Sequence, residues 1–180
     1  MTQTLHARTA PPADNGRMTI SSEDLKHLRR CVELAREALE DGDSPFGSLL
    51  ADADGKVLFE DRNRISGGDN TRHPEFAIAR WAAASLTPEE RLTATVYTSG
   101  EHCAMCAAAH GLIGLGRIVY ASSTEQRLSW LKELGVQPGV LKPLAINEVV
   151  PDVPVSGPAE ELAEEIRELQ VAYLRRQKTD

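Results

Sequence analysis

Cys103 and Cys106 stand with two residues between them, and His73-Pro74-Glu75 lies upstream with 27 residues between Glu75 and Cys103. Cysteines three positions apart share one helical turn. A fold that also brings His73 beside them collects two thiolates and an imidazole, a donor set suited to zinc. Three protein ligands leave the fourth tetrahedral position to water. Glu75, two residues past His73, is then a carboxylate placed to move protons without binding the metal, which makes it the catalytic candidate. A structural zinc site normally closes with four protein ligands, and a redox C-x-x-C needs no upstream H-x-E. The pattern therefore points to a hydrolytic zinc centre.

H-x-E followed by C-x-x-C is the signature of zinc deaminases. With Pro45-Phe46-Gly47, Asn63 and Tyr97-Thr98-Ser99-x-Glu101-x-Cys103-x-Met105-Cys106, it makes residues 22–122 resemble the cytidine deaminase superfamily, in particular bacterial guanine deaminases and tRNA-adenosine deaminases. The resemblance implies Zn2+ held by His73, Cys103 and Cys106, with Glu75 as the proton carrier. It also implies that Asn63 pairs with the polar edge of a base and that Phe46 packs on its face. Pro74, Glu101 and His102 complete the expected substrate-binding set. His102 stands where the family usually has proline, so it either lines the pocket or is exposed; Glu101 either orients the site or is solvated at a helix start. The implied reaction is hydrolytic deamination of a small aminated heterocycle, a guanine-like purine or an s-triazine, releasing ammonia. Cytosine or a nucleoside, and a tRNA adenosine, are the alternatives. A homodimer is implied by the resemblance alone.

Charge bears on that choice. With 20 Lys+Arg against 27 Asp+Glu the net charge is -7, which argues against a broad electrostatic grip on nucleic acid and for a small-molecule nucleobase-like substrate. The basic Arg175-Arg176-Gln177-Lys178 run is short and suits a helix C-terminus. Three cysteines, two in one C-x-x-C, make no disulfide framework, and no apolar run reaches the roughly 18 residues of a membrane helix. Residues 1–20 mix Thr, Pro, Asp, Asn and Gly; they read as a flexible arm without the apolar core of a secretion signal. A reducing, cytoplasmic compartment is expected.

In a chain of 180 residues one domain over 21–150 is expected, followed by a linker and a helix over 151–180. Leu25, Leu28, Val32, Ala35 and Leu39 predict an amphipathic helix over 22–40, capped by Ser21 or Ser22, with Cys31 buried. Asp54-Gly55 between two strand-like runs, 46–53 and 56–62, predicts a hairpin. Pro74 opens a helix to about Ser85; a strand over 92–98 delivers Ser99 to Cys103 to the site, and a helix runs from Cys103 to Leu115. His110, two turns beyond Cys103, is too far for the same tetrahedron and reads as packing or a dimer contact. A strand over 117–122 then gives a parallel pair with a right-handed crossover. Ser123 caps a helix to Leu134, with Trp130 either buried or over the pocket. An edge strand is expected within 140–150 and a proline-rich link over 151–158. Leu162, Ile166, Leu169 and Tyr173 form one face of a last helix, which docks on its own sheet or acts as a lid or swapped element. This order predicts an α/β fold, a three-layer α/β/α sandwich around a mixed sheet of about five strands.

Overall fold

A computed structural model describes residues 19–177. Five strands form one mixed sheet in the order β2-β1-β3-β4-β5: β1 (Gly47–Ala51), β2 (Val57–Arg62), β3 (Thr95–Gly100), β4 (Arg117–Ser122) and β5 (Val155–Ser156). β1 pairs antiparallel with β2 and with β3, whereas β3, β4 and β5 run parallel. The helices are α1 (Ser22–Glu40), α2 (Pro74–Ser85), α3 (Pro88–Thr93), α4 (Ala104–Ile113), α5 (Thr124–Glu133), α6 (Ile146–Val149) and α7 (Glu160–Arg176).

Strand side chains alternate between two apolar layers, as the two-residue period requires. Leu49, Ala51, Tyr97, Val119 and Ala121 face α1 and α7, where they pack with Leu28, Cys31, Ile166 and Leu169. Leu50 and Val96 face the opposite side, against Ile78 and Ala82 of α2. Ile118 and Tyr120 extend that layer against Ala107 of α4 and Ile146 of α6. The sandwich therefore has three layers, as expected, and α7 docks on its own sheet. Gly47 lets α1 lie directly on β1: a Cβ there would collide with Leu34 and with the backbone of Cys31.

The C-terminal half departs from expectation. Residues 140–145 form no strand, and the fifth strand is the two-residue β5 inside the proline-rich link. Leu92 belongs to the short helix α3, whose start is capped by Thr87 and Glu90, and does not open β3. The expected N-terminal arm lies outside the described residues except for Thr19 and Ile20.

At the end of β4 remote from the cysteines, Asp24 in the first turn of α1 is nearly fully buried. It completes the Ser21 capping box and accepts hydrogen bonds from Tyr97 Oη at 2.9 Å and from both Arg117 Nη atoms at 3.1 Å. Burial pushes the Asp24 carboxyl up, but the Ser21 N–H, Tyr97 and Arg117 outweigh it and hold the group below its ordinary value of 3.8. Asp24→Asn is expected to cost about 3 kcal/mol, because it strands the Arg117 charge, and to lower Tm by about 6–12 °C. The native pKa is depressed, so this stabilisation is complete above 3.8 and fades as pH falls through the native value. Thermal melts of both proteins at neutral and acidic pH check this: the gap closes in acid.

Candidate active site

The carboxyl ends of β3 and β4 open onto a cleft of about 480 Å³, the usual place for a ligand in an open α/β sheet. Two helices begin there. His73 is the N-cap of α2, with Pro74 in its first turn, and Cys103 is the N-cap of α4, with Cys106 one turn in. Both helix N-termini favour negative charge at this point.

The three ligand atoms form a near-equilateral triangle. Cys103 Sγ lies 3.6 Å from Cys106 Sγ and 3.7 Å from His73 Nδ1, and Cys106 Sγ lies 3.6 Å from the same nitrogen. Tetrahedral zinc with ordinary bond lengths sets its ligands about 3.8 Å apart for two sulfurs and about 3.6 Å apart for sulfur and nitrogen. The residues present fit zinc. Contact with the Cys106 sulfur, then with His73, pulls the Cys103 thiol down to about 4, despite burial. Cys106, beside the Cys103 sulfur and buried, is pushed up. Zinc takes both as thiolates, so metal binding releases the protons they carry.

Glu75, in the first turn of α2, is buried. Its Oε1 lies 3.1 Å from Ser48 Oγ and 2.9 Å from Thr98 Oγ1, and its Oε2 lies 3.7 Å from Cys106 Sγ. Burial raises the Glu75 carboxyl above its ordinary value, against the opposing charge of His73. A carboxyl raised in this way holds a proton more readily than a free one, which suits a group that must both take and return it. Ser48 and Thr98 face each other across β1 and β3 and fix that carboxyl. The sequence sets Ser48 apart as the one hydroxyl of β1, but Thr98 is one of several in β3.

Asn63 and Phe46 line the cleft as expected. Asn63 is buried after β2; its Oδ1 accepts from the Ile65 N–H at 3.2 Å. Phe46 packs on Gly100, where a Cβ would meet the ring, and Arg127 Cζ stands 5.7 Å from the ring centroid. Three expectations change. Pro74 is buried at the start of α2 and is not part of the cleft lining. His102 is neither pocket-lining nor exposed: it is 1% exposed and meets His110 edge to face at 5.6 Å. Burial, then His110, holds the His102 imidazole well below its usual pKa, as a neutral core residue. Glu101 borders the cleft, but both its oxygens are engaged, accepting from the Thr124 N–H at 2.8 Å and the Ile146 N–H at 3.0 Å. It ties the starts of α5 and α6 to the end of β3.

The model of the cytidine and deoxycytidylate deaminase zinc-binding region matches residues 21–122. The chain belongs to this family. It is a zinc-dependent hydrolytic deaminase. A protein of Schizosaccharomyces pombe named probable cytosine deaminase is 31% identical over 128 residues, 71% of this chain and 75% of that protein. The tRNA-specific adenosine deaminase of Agrobacterium fabrum is 36% identical over 89 residues, 49% of this chain and 58% of that relative. The structure of guanine deaminase from Nitrosomonas europaea superposes with a TM-score of 0.63 over 95% of this chain and 98% of that one, at 19% identity. That last likeness shows the deaminase fold. Among the described residues no helix is long and apolar enough to cross a membrane.

Proposed function

We propose that this deaminase acts on a free aminated heterocycle of purine or triazine size, with cytosine as the alternative. The observation that carries this reading is the cover of the cleft. Residues 138–144, with Leu128, Trp130 and Gln170, wall the space above the cysteines. All of these lie beyond the matched region. A pocket walled in this way favours a small ligand over a folded nucleic acid, in keeping with the net charge of -7.

His73, Cys103 and Cys106 would hold the zinc, which supplies a water that ionises near neutral pH. Glu75 takes a proton from water and passes it to the ring nitrogen next to the amino-bearing carbon, where the hydroxyl group adds. The same carboxyl then takes the proton of the added hydroxyl and delivers it to the amine, which leaves as ammonia while the carbon keeps a carbonyl. Ser48 and Thr98 hold Glu75 in place, and Asn63 offers amide hydrogen-bonding groups to the ring edge. The test is ammonia release from guanine, cytosine, an aminated s-triazine, cytidine and an adenosine-bearing tRNA hairpin. Turnover of a free base is expected. Turnover of the hairpin alone would replace this reading with the tRNA one.

A further inference from the structure

Among the charged side chains of the cleft, Arg127 of α5 lacks a partner. Its Nε is buried without an acceptor, and among the described residues its guanidinium makes no hydrogen bond or salt bridge. It lines the cleft and stands over the Phe46 ring. Arg127 is partly buried, and a cation drawn out of water in this way gains from a counter-ion. The cleft carboxylates do not relieve it: Glu101 is engaged by two backbone N–H groups, and Glu75 lies beside Ser48 and Thr98. Tyr173 and then Cys103 attract Arg127, but a phenol is neutral near neutral pH, and the charge of Cys103 goes to zinc once the metal binds. Two thiolates neutralise Zn2+, so the loaded cleft sets Glu75 and the backbone-bonded Glu101 against Arg127 and, on the covering segment, Lys142. On the same wall Gln170 is 1% exposed; its Nε2 donates to Pro45 O at 3.2 Å, and its Oε1 is buried without a donor. Both residues lie beyond the matched region.

We propose that Arg127 is a specificity-determining residue that selects an aminated heterocycle bearing a carboxylate on the ring. This rests on the deaminase reading above. A guanidinium offers paired N–H groups suited to a carboxylate, and the unpartnered Gln170 Oε1 then accepts from a ring N–H.

Two arms test it. In the first, zinc-loaded protein is titrated with orotate and with uracil, neither of which has an exocyclic amine to lose. In the second, turnover of cytosine is set against 5-carboxycytosine. The anionic member of at least one pair is expected to win by about tenfold or more, the value of one charge-assisted hydrogen bond. The preference should collapse toward one in Arg127→Met and return in part in Arg127→Lys. No preference in wild type, or one that persists in Arg127→Met, overturns the proposal, and the wild-type ratio decides even if a variant fails to fold. Turnover of neutral bases without anionic preference leaves the deaminase reading standing. An Arg127-dependent orotate preference without turnover of any free heterocycle sinks the substrate reading and keeps Arg127 as an anion site.

Discussion

Glu75→Gln is expected to lower kcat/KM by about 10³-fold or more, toward the upper end of what a positioned acid–base group supplies. Both proton transfers in the proposed reaction pass through this one carboxyl. The amide keeps the shape of the side chain and an oxygen for Ser48 and Thr98, so the loss reports proton transfer and not collapse of the site. Zinc content should stay at one per chain, because Glu75 is outside the ligand triangle. Stability moves the other way. In the zinc-free protein burial raises the Glu75 carboxyl above its ordinary 4.5, so the charged form is disfavoured in the fold. A raised native pKa means that its contribution is complete below 4.5 and is lost as pH rises through the native value. Metal-free Glu75→Gln should therefore melt no earlier than metal-free wild type at neutral pH. Steady-state rates, zinc analysis and melts decide together; activity within tenfold of wild type would remove Glu75 from the reaction.

The parts of this site that short-range chemistry determines are legible in the sequence. Two cysteines on one turn, and a histidine just before a helix-opening proline, are local statements; the fold only has to bring two helix starts together. The apolar runs at 49–51 and 118–121 likewise suit strands buried on both faces. What escapes is settled by distant partners. Nothing near Glu101 in the chain indicates that its oxygens meet the N–H groups of Thr124 and Ile146. His102 cannot reveal from its neighbours that it meets His110 edge to face. β5 is two residues long in a proline-rich segment, and it is a strand only because Ile118 and Val119 lie alongside. Arg127 reads as one more helix-surface arginine until the cleft closes around it.

Cys106→Ser tests the metal centre against a structural zinc module. Serine is nearly the same size, but its hydroxyl stays protonated near neutral pH, so the site loses an anionic ligand while the packing changes little. Loss of a mere supporting partner to a metal ligand costs about 10- to 100-fold in affinity, so loss of a ligand itself should cost at least about 100-fold. Zinc per chain after dialysis against a metal buffer should fall well below one, and ammonia release should fall with it. The fold should survive, because none of the three hydrophobic clusters includes Cys103 or Cys106; they are built by the sheet and its two helical layers. A structural zinc module would behave differently, since there the binding energy is the folding energy. Circular dichroism of the variant therefore separates the two cases: native helix content without zinc marks a functional metal in a self-supporting fold, whereas unfolding on zinc loss would make the metal a structural requirement.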